Sequence, residues 1–151
     1  AASFVKPPVK LISFSDFKKC GAFPRNPECD NMCVNFGSID RSTSFVIYIS
    51  HVWQRSYQGC PGWDGKPHPD HKTKKMFKLC VSGIDRIFKH MAPGMTKCYI
   101  WMDYGCVNQG NLALLPTALF HMHVVYKTCS LISHWNPLVC TCRLGPSPAV
   151  T

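Results

Sequence analysis

The apolar positions of the chain form two short uninterrupted runs with a helical pattern between them. Residues 45–49, FVIYI, and residues 98–102, CYIWM, contain only apolar or aromatic side chains and do not alternate with polar ones. Such runs are typical of strands that are buried on both faces, as in a parallel sheet covered by helices. We therefore predict one buried strand at each run.

The segment between the two runs has the period of an amphipathic helix. Apolar residues recur there at steps of three and four: Met76, Leu79, Cys80, Ile84, Ile87, Phe88 and Met91. Asp70 is a candidate N-cap, and Pro93-Gly94 ends the pattern. Strand, helix and strand in this order predict a right-handed βαβ unit with parallel strands, and hence an α/β fold.

The remaining segments give weaker patterns. Residues 1–40 carry one short apolar piece, LISFSDF, and we interpret them as an N-terminal arm that leans on a domain formed by residues 41–135. The stretch LLPTALFHMHVVY is either a short helix from Pro116 or a helix that runs into a strand, and CSLIS is a candidate third strand. Residues 136–151 are expected to form an irregular tail.

Polar residues follow both predicted strands at one edge. Ser50, His51 and Trp53 come at the end of the first run, and Asp103 follows the second. Ligands of open parallel sheets bind in the crevice at the carboxyl ends of the strands, so we expect these side chains to border one pocket. Ser50, His51 and Asp103 also have the groups of a nucleophile, a base and an orienting carboxylate. Consecutive strand residues point to opposite faces, however, which argues against a hydrolytic triad and favours Asp103 as a ligand-binding or structural carboxylate.

The chain is strongly basic. Seventeen Lys and Arg against eight Asp and Glu leave a formal charge of +9, and no carboxylate side chain follows Asp103. Lys72, Lys74 and Lys75 lie at the predicted start of the helix, where they oppose the helix dipole unless a phosphate-bearing ligand or solvent relieves them. The cluster is therefore either an anion site or a solvated basic patch. Aromatic and basic residues are not interleaved, so nucleic-acid binding is not favoured.

The ten cysteines allow two interpretations. Several lie in apolar segments, the N-terminus lacks the layout of a secretory signal, and no apolar run reaches the roughly 18 residues of a membrane span. We therefore expect free thiols, a cytoplasmic location and no membrane span. Disulfides stay open for the cysteines in loop-like sequence: Cys20, Cys29, Cys33, Cys140 and Cys142.

Metal-ligand residues occur in scattered pairs. These are Cys29 and Cys33, His68 and His71, His121 and His123, and Cys140 and Cys142. None repeats the double Cys-x₂-Cys form of a structural zinc site, so no metal site is predicted. A basic, zinc-stabilised nucleic-acid binder remains the less favoured alternative.

The two strand-end motifs together resemble the heterokaryon-incompatibility (HET) domain, which is related to TIR domains. That family typically shows a strand that ends in Ser-x-x-Trp, and later an apolar-Trp-apolar-Asp strand followed by Cys-x-Asn-Gln. The resemblance covers about residues 45–110, and the matching residues are Ser50, Trp53, Trp101, Asp103, Cys106, Asn108 and Gln109.

The resemblance implies a flavodoxin/TIR-like three-layer α/β fold with a parallel sheet, incomplete at its C-terminal end because the match stops near Gln109. It also implies a role in signalling or cell death, self-association with like domains, and a nucleotide ligand held by Ser50, His51, Trp53, Asp103, Cys106, Asn108 and Gln109. Many TIR relatives cleave NAD with a Glu on a helix beyond the second strand, and no acidic residue of this chain matches it. NAD is thus expected as a substrate or ligand rather than a cofactor. A catalytically silent interaction module is the alternative.

Overall fold

One open sheet of six strands organises the molecule. The computed structural model describes residues 8–111, 113, 115–135 and 140–144. The strands in chain order are β1 (Lys10–Ser13), β2 (Cys33–Asn35), β3 (Ser44–His51), β4 (Lys97–Trp101), β5 (Leu131–Trp135) and β6 (Cys140–Leu144). Their order across the sheet is β2-β1-β4-β3-β5-β6.

The centre of the sheet is parallel. β3 pairs in parallel with β4 on one side and with β5 on the other, and Tyr48 lies opposite Trp101 in the β3–β4 register. Helix α2 (Lys75–Met91) connects β3 to β4. The predicted parallel βαβ unit is therefore confirmed. Residues 44–49 of β3 are all buried, as an uninterrupted apolar strand requires.

The outer strands are antiparallel, so the sheet is mixed and not parallel throughout. β1 runs antiparallel to both β2 and β4, and β6 runs antiparallel to β5. Each of these three strands has only three to five residues. Such short segments have no clear hydrophobic period, which is why the sequence did not predict them.

The N-terminal segment belongs to the same core and is not a separate arm. β1 lies between β2 and β4, and helix α1 (Phe14–Lys19) follows it directly. Leu11, Ile12 and Phe17 are fully buried in the core. The Ser13 hydroxyl caps α1 by accepting a hydrogen bond from the amide of Asp16 at 3.1 Å.

Helices cover both faces of the sheet and give three layers. On one face α1 packs on α2 through Phe17 and Phe77, whose ring centroids are 5.1 Å apart. On the other face lies α4 (Leu115–Thr128), which contacts β3 through an edge-on pair of Tyr126 and Tyr48 at 5.6 Å. A single turn, α3 (Asp103–Cys106), follows β4. The mixed α/β class is thus confirmed.

The C-terminal part differs from the predicted irregular tail. Residues 115–128 form one helix, which decides between the two interpretations of that stretch, and the third predicted strand is β5. Cys140–Leu144 pairs with β5 as strand β6. The other residues of the predicted tail, 136–139 and 145–151, lie outside the described residues.

Among the described residues, no helix combines the length and the apolar character that are needed to cross a bilayer.

Candidate functional site

The structure brings His51 and Asp103 together at one edge of the sheet. Because β3 and β4 are parallel and in register, their carboxyl ends lie side by side. The imidazole Nε2 of His51 is 3.8 Å from Oδ1 of Asp103. The connection that leaves β3 leads to β4 on one side of β3, and the connection that leaves β4 leads to β5 on the other side. Such a reversal of strand order is the topological switch at which open α/β sheets form a ligand crevice.

The His51 ring lies buried in an aromatic stack. It is nearly parallel to the rings of Phe23 and Trp53, with both pairs of ring centroids 5.9 Å apart. Only 3% of the side chain is exposed, and neither ring nitrogen has a hydrogen-bond partner. Burial lowers the pKa of His51, against the smaller opposing effects of the Asp103 and Asp70 carboxylates. The imidazole is therefore neutral near pH 7.

Asp103 presents its carboxylate toward solvent. Its side chain is 47% exposed, and Oδ1 accepts a hydrogen bond from the amide of Tyr104 at 2.7 Å. Burial, with a further contribution from Asp103, raises the pKa of the nearby Tyr48 phenol to about 12. Tyr48 consequently remains a protonated hydroxyl, and the charged group at this edge is the carboxylate.

Aromatic residues form the wall beside this pair. Trp53 meets Tyr104 edge-on at 5.5 Å, and Tyr104 in turn meets His68 at 5.2 Å. His68 is half-buried. Sequence reasoning also missed Phe23 and Tyr104. Phe23 lies in a segment without hydrophobic period, whereas Tyr104 follows Asp103 directly and could have been found by that adjacency.

Arg55 orders the long connection between β3 and α2. It pairs with His68 in an antiparallel bridge, and its buried guanidinium donates through Nε to the Asp70 carbonyl at 2.8 Å. Its Nη1 also donates to the Asp64 carboxylate at 2.7 Å. This network fixes the loop that carries Trp53. Nothing in the local sequence distinguishes Arg55 from a surface arginine.

The free backbone amides at the start of α2 are hydrogen-bonded by a side chain of the protein itself. Asp70 is buried, and its two carboxylate oxygens accept hydrogen bonds from the amides of Met76 at 3.0 Å and Phe77 at 2.8 Å. The N-cap position itself belongs to Lys74 and not to the predicted Asp70, since the helix begins at Lys75. Asp70 lies further upstream and satisfies the amides of the first turn with its side chain.

The same contacts bear on the predicted anion site. Two amides at the helix start, which would bind an external anion, already have a carboxylate partner. Lys72, Lys74 and Lys75 are all exposed. An anion at the three lysines therefore stays a prediction, without these two amides as donors.

Cys106, Asn108 and Gln109 support the turn that carries Asp103. The Cys106 thiol is buried and donates to the Ile100 carbonyl at 3.7 Å, and burial raises its pKa. The Gln109 side chain donates to the carbonyls of Asp103 and Val107, each at 2.9 Å. Asn108 Oδ1 accepts from the amide of Gly110 at 2.8 Å. All three side chains have backbone partners, so the structure gives them a positioning role.

Ser50 and Trp101 lie on the other face of the sheet. Ser50 precedes His51 in β3, so its side chain leaves the opposite face. Trp101 stacks on Tyr48 with centroids 5.0 Å apart and is fully buried. Because Ser50 and His51 point apart, the geometry does not provide a serine nucleophile with a base.

A separate cavity of about 200 Å³ lies between β1, the α3 turn and α4. Its lining includes Lys10, Asn26, Cys106 and Asn108, but not His51, Trp53 or Asp103. The part of the chain that the structure describes contains no cluster of three or more His, Cys, Asp and Glu residues able to hold a metal ion. The side chains of Cys140 and Cys142 lie outside that description.

Comparison with known proteins finds no family model, no curated protein and no solved structure that matches this chain. The similarity to the HET domain consequently rests on the residues of the two motifs, and the function has to be inferred from the site.

Proposed function

We propose that the chain is a HET/TIR-like α/β signalling domain that binds a nucleotide at the carboxyl edge of β3 and β4. The observation that carries the proposal is the exposed Asp103 carboxylate beside the buried, unpaired His51 imidazole. The order of the three parallel strands, β4-β3-β5, supports it. It equals the 2-1-3 part of a flavodoxin-like sheet, whose switch lies between the first and third strands, here β3 and β5, so the end of β3 that carries His51 borders that switch.

The chemistry of the site suits a ribose and an aromatic base. An exposed carboxylate at this edge accepts hydrogen bonds from ribose hydroxyl groups, as acidic residues do in other nucleotide-binding sheets. The partly exposed Trp53 offers aromatic surface beside it, and the buried Tyr104 packs edge-on against Trp53. The formal charge of +9 attracts the phosphates of a nucleotide through long-range electrostatics.

NAD is the nucleotide that the family resemblance singles out. The 151 residues contain no carboxylate side chain after Asp103 that would match the catalytic acid of TIR relatives. The neutral His51 imidazole can donate or accept one hydrogen bond, depending on its tautomer. We therefore propose binding of the nucleotide and do not propose its hydrolysis.

Titration calorimetry with NAD tests the proposal. Asp103→Asn removes a charge-assisted hydrogen bond worth about 1.5–3 kcal/mol, so we expect affinity to fall about tenfold or more. Asp85→Asn is the matched control, because Asp85 is an exposed carboxylate on α2 that pairs with Lys18. Absence of saturable binding, or equal losses in both variants, would contradict the proposal. Nicotinamide release in the same samples reports any turnover.

A second candidate function, self-association without catalysis, is favoured by the surface of α4. Four large apolar side chains of this helix are at least 36% exposed: Leu119, Phe120, Met122 and Tyr126. A helix that is apolar on all sides is usually covered, and exposed apolar patches mark interaction surfaces.

Sedimentation velocity over a range of concentrations tests this candidate. Leu119→Lys is expected to shift oligomers toward monomer, whereas Lys78→Glu, on the exposed side of α2, should leave the distribution unchanged. A wild-type chain that stays monomeric at every concentration would rule out self-association through α4.

A further inference from the structure

Two thiols meet beneath the turn that carries Asp103. Cys29 and Cys33 flank a short 3-10 helix (Asp30–Met32), and both sulfur atoms contact the carbonyl oxygen of Gly105. The Sγ–O distances are 3.2 Å for Cys29 and 3.7 Å for Cys33. The Cys33 thiol also lies 3.6 Å from the carbonyl oxygen of Cys29, to which it donates. A single carbonyl oxygen therefore holds a facing pair of sulfhydryl groups.

The backbone between the two residues permits a covalent link. The 3-10 turn between them returns the chain so that both thiols reach the same carbonyl oxygen. A disulfide needs a Cβ–Cβ distance of about 3.5–4.5 Å, so closure requires both thiols to leave that oxygen and turn toward each other. Of the intervening residues, Asp30 and Asn31 are exposed, whereas Met32 packs against the core.

We propose that Cys29 and Cys33 are a redox-active dithiol that closes to a disulfide by exchange with a low-molecular-weight disulfide such as oxidised glutathione. The Cys33 thiolate attacks one glutathione sulfur, which forms a mixed disulfide and releases one glutathione thiolate. Cys29 then loses its proton and attacks the Cys33 sulfur, which releases the second glutathione. Two protein thiols are oxidised, and one glutathione disulfide is reduced to two thiols.

The environments of the two thiols set this order of attack. Cys29 is buried, whereas Cys33 is partly exposed and is the one that an external disulfide can reach. The hydrogen bond from Cys29 lowers the pKa of Cys33, and the same contact together with burial raises the pKa of Cys29. Cys33 is thus the attacking thiol and Cys29 the resolving one.

Formation of the disulfide also changes the hydrogen bonds of the neighbouring α3 turn. The Gly105 carbonyl loses both S–H donors when the disulfide forms, and Gly105 belongs to α3, which begins at Asp103. In α3 and its cap, the amides of Cys106 and Val107 donate to the carbonyls of Met102 and Asp103. We expect these two amides to exchange with solvent several-fold faster in the oxidised chain.

Peptide mapping of the full 151-residue chain tests the proposal. Trypsin cuts after Arg25 and Arg41, so peptide 26–41 contains Cys29 and Cys33 and no other cysteine. After equilibration with oxidised glutathione and alkylation, this peptide should lack two hydrogen atoms and carry no alkyl group. Reduction with dithiothreitol should restore two alkylation sites.

Variants and hydrogen exchange complete the test. Cys33→Ser should abolish the oxidised form and the faster exchange, whereas Cys98→Ser, which removes a buried thiol of β4, should close like the wild type. Three results would overturn the proposal: persistent free thiols, a stable glutathione adduct on Cys33, or a cross-link from peptide 26–41 to peptide 20–25 or 98–127. Unchanged exchange of the α3 amides in the oxidised chain would overturn the link to that turn.

Discussion

The His51 imidazole and the Asp103 carboxylate lie 3.8 Å apart without forming a hydrogen bond. That separation exceeds hydrogen-bonding distance, and the ring is almost completely buried. A buried polar group without a partner costs about 1–3 kcal/mol. Such a cost at the carboxyl edge of a parallel sheet fits the proposed ligand site, because functional residues are often retained at the expense of stability.

Acid should destabilise the chain through His51. Burial lowers the pKa of His51 in the folded chain below the ordinary value of 6.5 that holds in the unfolded chain. Between the folded and the unfolded pKa, the unfolded chain therefore binds a proton that the folded chain does not bind. Stability is therefore fully present above 6.5 and falls as the pH drops into that window. Urea unfolding at pH 7.5 and 5.5 should show a smaller loss in His51→Phe than in the wild type.

The loss of stability in acid that remains in His51→Phe is expected to come from a second, half-buried histidine, His68. Burial also lowers the pKa of His68, so its protonation adds a loss of stability of the same sign as the pH falls. At pH 7.5, His51→Phe should be as stable as the wild type or about 1 kcal/mol more stable, since it removes two unpaired nitrogens from between Phe23 and Trp53. If His51→Phe loses as much stability between pH 7.5 and 5.5 as the wild type, His51 is not the group whose protonation destabilises the folded chain.

Asp103→Asn should lower the pKa of His51 further. The Asp103 carboxylate favours the charged imidazolium and opposes the effect of burial, so its loss removes the larger of the two stabilising charges. An NMR titration of the His51 ring protons measures this shift directly. Asp85→Asn, at a distant ion pair on α2, serves as the control. An increase in the His51 pKa in Asp103→Asn would contradict the observed arrangement.

The sequence predicted the central βαβ unit because its signals are long and consistent. β3 and β4 are uninterrupted apolar runs, and α2 keeps its period over four turns. Once the two strands are parallel, the meeting of His51 and Asp103 follows from the topology. This part of the site therefore depends on local patterns and one chirality rule.

The rest of the site depends on contacts between distant segments. Phe23 reaches His51 from a loop that has no hydrophobic period, and Arg55 is buried only because Asp64 and Asp70 lie beside it. β2 has three residues, too few for a pattern. The outer strands and the aromatic stack were for this reason beyond sequence reasoning.

Asp70→Ala should destabilise the protein by about 2 kcal/mol or more. It removes the acceptor of the Met76 and Phe77 amides and leaves both buried at the start of α2. Lys75→Ala, an exposed neighbour on the same turn, should change stability by no more than about 0.5 kcal/mol. Chemical denaturation compares the two, and equal effects would mean that Asp70 does not cap the helix.

Lys74→Gly should stabilise the chain. Lys74 has a φ of 58°, in the left-handed region that disfavours a side chain, and its side chain is exposed. We expect a gain of about 0.5–1 kcal/mol in the free energy of unfolding. The same change at Lys78, within α2, should instead cost about 1 kcal/mol because glycine is unfavourable in a helix interior. Two losses of similar size would contradict the assigned conformation of Lys74.

Gly105→Ala should destabilise the α3 turn because that position has no room for a Cβ. An added Cβ would lie 2.9 Å from Cδ1 of Ile12 and 3.1 Å from the Pro24 carbonyl oxygen. Overpacking of this kind costs about 1–3 kcal/mol. Gly37→Ala is the matched control, since its Cβ would have no neighbour within 4 Å.

A double-mutant cycle tests the cause of that loss. Valine lacks the Cδ1 atom, so Ile12→Val should restore part of the stability that Gly105→Ala removes, whereas the contact with the rigid Pro24 carbonyl should keep the recovery incomplete. If the two substitutions are additive, the clash with Ile12 does not explain the loss.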